Sequence, residues 1–267
     1  MTTLATLAAF LRRDWAVART YRFGLVIAGM NQVFQLSTFF FLAKMVDPSA
    51  SSGIDEGGYF RYVVAGLVLL GLASTGLTAF AYTIQGERFT GSLEAMITTP
   101  TPPALLVVGM ASYSICTAVL SSLAMLGAAI ALFGFRIHAT PTTAVVGVVA
   151  FLATVVWVAG IGILVAAFSL VVQRGSSLLG FVASGLSLFG GVYFTVDTLP
   201  RPLEALAQVF PFAWGLQIVR DSLDGERADP RLLGLLIAVA AATLPAALRV
   251  FERALEHVRR TGTLSHF

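Results

Sequence analysis

Six apolar runs dominate this chain, at residues 23–46, 59–84, 105–135, 143–172, 177–194 and 232–248. Most reach or exceed the roughly 20 residues that cross the hydrocarbon of a bilayer. A stretch of that length and polarity has few ways to fold. In lipid every backbone N–H and C=O must be bonded inside the segment, so the runs read as helices rather than strands or loops. The expectation is an all-α, polytopic membrane protein with six transmembrane helices, forming a single transmembrane domain over residues 1–267. Runs near 30 residues imply tilt, or ends that emerge from the bilayer. Composition agrees: 57% of the 267 residues are hydrophobic and only 12% charged, against about 25% charged in an ordinary soluble domain.

The segments between the runs are equally informative. In residues 1–22, Leu4, Leu7, Leu11, Trp15 and Ala18 recur at three- and four-residue spacing, with Arg12, Arg13 and Arg19 mainly on other faces. This predicts an amphipathic helix lying in the interface. Residues 47–58 form a polar, acidic loop, 85–104 a polar stretch and 136–142 a short hinge. Residues 195–230 are broken by proline and charge and predict short helices between the fifth and sixth spans, outside the membrane or re-entering it. Six spans place both termini on one side. Arg12, Arg13, Arg19, Arg22, Arg88, Arg174, Arg249, Arg253, Arg259 and Arg260 share that side and outnumber its acids, which makes the termini cytoplasmic by the positive-inside rule.

What the spans lack counts against several functions. Proton relays and ion-coupled carriers place Asp, Glu, His or Arg at depth, and here Lys44 and Arg61 sit only at span ends, where their heads reach the headgroups. His138, His257 and His266 fall in loops or the tail, so intramembrane metal or protease chemistry has no base to use. The only lysine, Lys44, precedes Met45 and no phosphate-binding loop of the Gly-x-x-x-x-Gly-Lys type is present. Nucleotide hydrolysis must therefore come from another chain. The single cysteine, Cys116, lies inside an apolar run and has no intrachain disulfide partner. The basic residues are clustered between apolar runs rather than striped, so nucleic acid is not an expected partner.

Within 85–104 a short helix from about Gly91, ended by Pro100, Pro102 and Pro103, would carry Leu93, Met96 and Ile97 along one side, with Glu87 and Glu94 elsewhere. The order Glu87, Gly91, Ser92, Leu93, Glu94, Met96, Thr99, Pro100 resembles the cytoplasmic coupling region of type-2 ATP-binding-cassette exporter permeases. A second stretch agrees with it: Gly190, Gly191, Tyr193 and Phe194, then Leu199, Pro200, Leu203, Leu206, Pro211, and Arg220 before Gly225. That stretch is similar to the family's re-entrant and external helices, and the likeness covers essentially the whole chain.

The resemblance implies a permease subunit in the bacterial cell (inner) membrane. It would dimerise with a second permease subunit, as homo- or heterodimer, and bind two copies of a cytosolic ATPase that carries the ATP and magnesium; this chain would bind no cofactor of its own. Carried over by position, Glu87, Arg88, Gly91, Leu93, Glu94 and Met96 would contact the ATPase, and the first and fifth spans would border the path.

The residues themselves add to this. Asn31, Gln35 and Thr38 share one face of the first span, which must meet another helix or a water-filled path because unpaired amides are costly in lipid. Ser184 and Ser187 lie with Gly180 and Gly191 on one face of the fifth span, where small residues allow close helix approach. Tyr193, with neighbouring phenylalanines, offers an aromatic surface. A charge-poor interior favours export of an amphiphilic or lipophilic compound, such as a drug, lipid or natural product. The alternatives are a lipid-linked glycan exporter, an ion-coupled secondary transporter, or a scaffold that transports nothing.

Overall fold

The computed structural model describes residues 3–20, 22–45, 58–89, 103–172 and 175–261. Among these residues it contains nine α-helices and no strand: α1 (Thr3–Thr20), α2 (Arg22–Met45), α3 (Gly58–Phe89), α4 (Pro103–Phe133), α5 (Pro141–Val172), α6 (Gly175–Phe189), α7 (Arg201–Gln208), α8 (Pro211–Asp224) and α9 (Pro230–Thr261). A single 3-10 turn, Val196–Thr198, precedes α7. Prolines set several of the starts, since at the first helical position the missing N–H would be unbonded anyway. Pro141 begins α5 behind Thr140, whose Oγ1 accepts from the N–H of Thr143 at 3.3 Å while the Thr143 hydroxyl oxygen accepts from the N–H of Thr140 at 2.9 Å. Pro230 begins α9, and Asp229 caps it by accepting from the N–H of Arg231 at 2.8 Å.

Five helices hold stretches long and apolar enough to cross a bilayer: Val26–Met45, Gly58–Thr78, Leu105–Phe133, Pro141–Val171 and Pro230–Val258. The expected fifth run, 177–194, differs. It forms a helix of only 15 residues, about 22 Å at 1.5 Å per residue, against about 30 Å of hydrocarbon. The helix stops because Gly190 and Gly191 follow it and Gly191 adopts a left-handed φ of 64°. Two further expectations are corrected. The tail beyond residue 248 is no separate segment, since α9 continues to Thr261, burying Phe251, Leu255 and Val258. Residues 85–89 are not loop either, because α3 runs through Phe89. Residues 90–102, with Gly91, Leu93, Glu94 and Met96, lie outside the described residues, as do the side chains of Glu87 and Arg88.

α3 is the central post, with 67% of its span buried, and α2 stands at the edge with 6%. Close packing without large side chains is what lipid-embedded helices use in place of a hydrophobic drive. A Cβ on Gly76 of α3 would lie 2.9 Å from Val158 of α5, and one on Gly160 of α5 would lie 2.8 Å from Thr243 of α9. Two apolar cores result. One, around Val64, Leu69, Trp157, Phe212 and Leu236, occupies the end of the bundle that carries the 134–140 loop, α7 and α8, here called the cap end. The other, around Phe80, Met110, Ile163, Phe251 and Leu255, occupies the terminal end, where α1 packs on α4 through Phe10 against Gly109. Pro245 lies inside α9 at the junction of the two.

Candidate functional site at the cap end and the edge of α2

α2 buries Leu36 completely and leaves Val26, Ile27, Met30, Phe34 and Phe41 exposed. Of the polar face read from the sequence, Asn31 and Thr38 are exposed and Gln35 is half-buried. Thr38 donates its hydroxyl to the Phe34 carbonyl one turn back at 2.9 Å, which satisfies it within its own helix. The polar residue that does cross to another helix is Gln32, which donates through Nε2 to the Ser121 hydroxyl oxygen of α4. On α6, Ser184 is exposed and half-buried Ser187 donates to the Ser184 carbonyl at 3.1 Å. Tyr193, in the turn after α6, stacks on Phe39 of α2 with ring centroids 5.4 Å apart. The structure thus joins one α2 residue to the expected aromatic surface, while Ser184 of α6 and Asn31 of α2 stay exposed.

The turn that carries Tyr193 is wedged into the bundle. A Cβ on Gly66 of α3 would lie 2.7 Å from the Val192 carbonyl, and one on Gly191 would lie 2.9 Å from Val196. From α3, the Tyr62 hydroxyl shares its one proton between the Gly191 carbonyl at 2.7 Å and that of Phe194 at 2.9 Å. From α8, Arg220 donates through Nε to the Tyr62 carbonyl at 3.1 Å, and through Nη2 to the Gly191 and Val192 carbonyls at 3.0 and 3.3 Å. Its guanidinium carbon lies 3.4 Å from the centre of the Tyr62 ring. Burial lowers the Arg220 pKa to about 10, against the opposing pull of Tyr62, Asp221 and Asp224, so it stays charged at neutral pH. The sequence offered Arg220 only as a motif position; its role depends on carbonyls brought in from residues 29 and 158 positions away.

Beside it a second polar knot ties α3, α8 and the 134–140 loop. Arg61 pairs with Asp224 and donates through Nη2 to His138 Nδ1 at 2.7 Å. The His138 N–H donates to the Leu223 carbonyl at 2.9 Å. Arg61 was expected to reach for lipid headgroups; it is instead engaged within the chain. Gly225, at φ 79°, closes α8 in the left-handed conformation where a Cβ would meet the His138 carbonyl oxygen at 2.5 Å. Lys44 lies over the Phe40 ring at 4.5 Å.

Burial, with Glu226 and Asp224 close by, pushes the Asp221 carboxyl up to about 6 against the pull of Arg220. A proton held more tightly in the folded than in the unfolded chain stabilises the fold below pH 4, and that contribution is lost as pH rises through about 6. Asp221→Asn is therefore expected to melt close to the parent at pH 4 and above it at pH 7.5. Melting temperatures of both proteins across that range test this, and a gap that does not vary with pH contradicts it.

No group of three or more His, Cys, Asp or Glu residues that would hold a metal ion occurs among the described residues. In comparison with known proteins, the profile described as "ABC-2 type transporter" matches residues 5–223. The curated proteins named Inner membrane transport permease YadH, from Escherichia coli (strain K12) and from Shigella flexneri, are 20% identical over 156 residues, which is 58% of this chain and 59% of each relative. The chain thus aligns with about three-fifths of those relatives' length. With a family profile that spans most of the sequence laid over five long apolar helices, the chain belongs to the ABC-2 type transporter family.

Proposed function

We propose that the chain is the permease subunit of an ATP-driven exporter, working with a second permease subunit and two copies of a cytosolic ATPase in a bacterial inner membrane. Its six-span reading counts α6 and the turn behind it as the short fifth crossing, with the termini cytoplasmic and the cap end outside. The observation that carries the proposal is α2. Only 6% of its span is buried, yet it shows Asn31 and Thr38 beside exposed Phe34 and Phe41. An exposed amide, that of Asn31, set among aromatics suits neither lipid nor a dry core. It suits a seam between two subunits that opens to an amphiphilic compound, drug-like, lipid or natural product. Work would enter at the terminal end, where α3 delivers Glu87, Arg88 and the segment with Gly91, Leu93, Glu94 and Met96 to the ATPase. ATPase closure would then reorient α2 and α6 between inward- and outward-open states.

The test is reconstitution of the chain with its ATPase in vesicles. Uptake of a lipophilic dye is expected to require ATP hydrolysis and to ignore proton and sodium gradients. Transport driven by an ion gradient with no ATPase present would overturn the proposal and leave a secondary transporter.

A further inference from the structure

We propose that Arg220 is the positioning residue of a seal at the cap end, holding the 190–194 turn so that Tyr193 covers the end of α2. This deepens the exporter reading above and rests on it for the meaning of the seal, though not for its geometry.

The turn has little to hold it of its own. It contains two successive glycines, one of them left-handed, and follows a helix of only 15 residues. What fixes it comes from elsewhere. Three carbonyls, those of Gly191, Val192 and Phe194, point at donors from α3 and α8. Gly191 receives both the Tyr62 hydroxyl and the Arg220 guanidinium. Adjacent to these carbonyls along the chain is Tyr193, whose ring lies nearly parallel to Phe39, 12° apart in plane. Rotating the turn by one peptide would break that stack. Arg220 therefore acts on α2 through the backbone of residues 191 and 192.

An arginine is needed because two demands fall on one group. The guanidinium must bond the Tyr62 carbonyl on one side and the turn carbonyls on the other, and must stack flat on the Tyr62 ring. A planar fork does both at once; an ammonium is a point charge that neither stacks flat nor spans two acceptor groups so far apart. Carrying the charge into a largely buried position is costly unless its donors are matched. The carbonyl set supplies that match. Asp224 is engaged with Arg61, and no ion pair of Arg220 with a carboxylate is seen among the described residues, so the charge is directed at backbone dipoles. A charge that bonds the Tyr62 carbonyl of α3 on one side and two carbonyls of the turn on the other ties the turn to α3.

The experiment reads the seal without any ATPase or nucleotide. Cys116 is replaced by alanine, and Phe39→Cys, which removes the ring under Tyr193 so that cover depends on the turn alone, is labelled in membrane vesicles with a membrane-impermeant maleimide offered at the cap side. Labelling is expected to be slow in the otherwise unchanged chain, about tenfold faster with Arg220→Gln, and at least about fivefold faster with Arg220→Lys, whose point charge cannot serve both acceptor groups. Tyr62→Phe keeps the ring and removes one donor; it should give an intermediate rate and serves if Arg220→Gln inserts poorly. Tyr193→Ala should expose Phe39→Cys fully, and on that background Arg220→Gln should add nothing, because both act on the same cover.

Ala150→Cys, fully buried in the cap-end core, should stay unlabelled in every variant. Three results would overturn the assignment: rates indifferent to Arg220 while Tyr193→Ala accelerates them, further acceleration by Arg220→Gln after Tyr193 is gone, or parallel labelling of Ala150→Cys, which would make Arg220 a general stabiliser. Failure of the exporter reading shows separately, as labelling that depends on Arg220 but does not respond to ATP when the ATPase is present.

Discussion

Glu94→Arg and, separately, Gly91→Pro are expected to abolish the stimulation of ATP hydrolysis by cargo in the assembled complex while the chain remains inserted. The stimulated-to-basal ratio should fall to about 1. Reversing a charge at a docking contact sets like against like and costs several kcal/mol. Proline at Gly91, where the short helix is expected to begin, fixes φ near −65° and disfavours a helical conformation at the residue before it, so it would re-aim the segment. The expectation is strengthened by α3. It is the most buried of the spans and continues as helix through Phe89, so a push that arrives at Phe89 is carried by continuous helix to the central post of the bundle. Stimulation that survives both changes would remove residues 87–96 from the contact with the ATPase.

Gly191→Val should give a large loss of stability. A branched residue at φ 64° costs about 1–2 kcal/mol in the left-handed region, and its Cβ would lie 2.9 Å from Val196, adding about 1–3 kcal/mol of overpacking. An apparent melting temperature lower by about 5–10 °C in detergent is expected on that basis. The contrast is Gly180→Ala on α6, where nothing lies within 4 Å of the added carbon. There alanine is the better helix former, and the melting temperature should hold or rise. Equal losses at the two glycines would mean that the turn is not the strained position.

How much of this was legible beforehand depended on range. Continuous apolar runs mark α2, α3, α4, α5 and α9 because bilayer thickness and backbone hydrogen bonding leave them one solution. The run at 177–194 looked equivalent, but its end is decided by the backbone angle of Gly191, which no periodicity reports. The extension of α9 was available and missed: Ala247, Phe251, Leu255 and Val258 recur at four, four and three residues, and the arginines among them read as a tail. For the site, spacing placed Asn31, Gln35 and Thr38 on one face, but it could not tell that Gln32, one position away from that face, would bond Ser121 on α4. Arg220 was visible as a residue and its task was not, since Tyr62 and Gly191 come to it from distant parts of the chain.

The split between the two apolar cores bears on how this bundle deforms. Pro245 removes a rung from α9 at their junction, and near the same level Gly76 and Gly160 bring α3, α5 and α9 together with little side-chain interlock. An apolar crevice lined by Leu72, Gly76, Ile115, Ala118 and Val158 lies at that level too. The bundle thus divides its apolar packing between two cores that meet where α9 lacks a backbone bond, and a change of tilt between its two ends would have its hinge there.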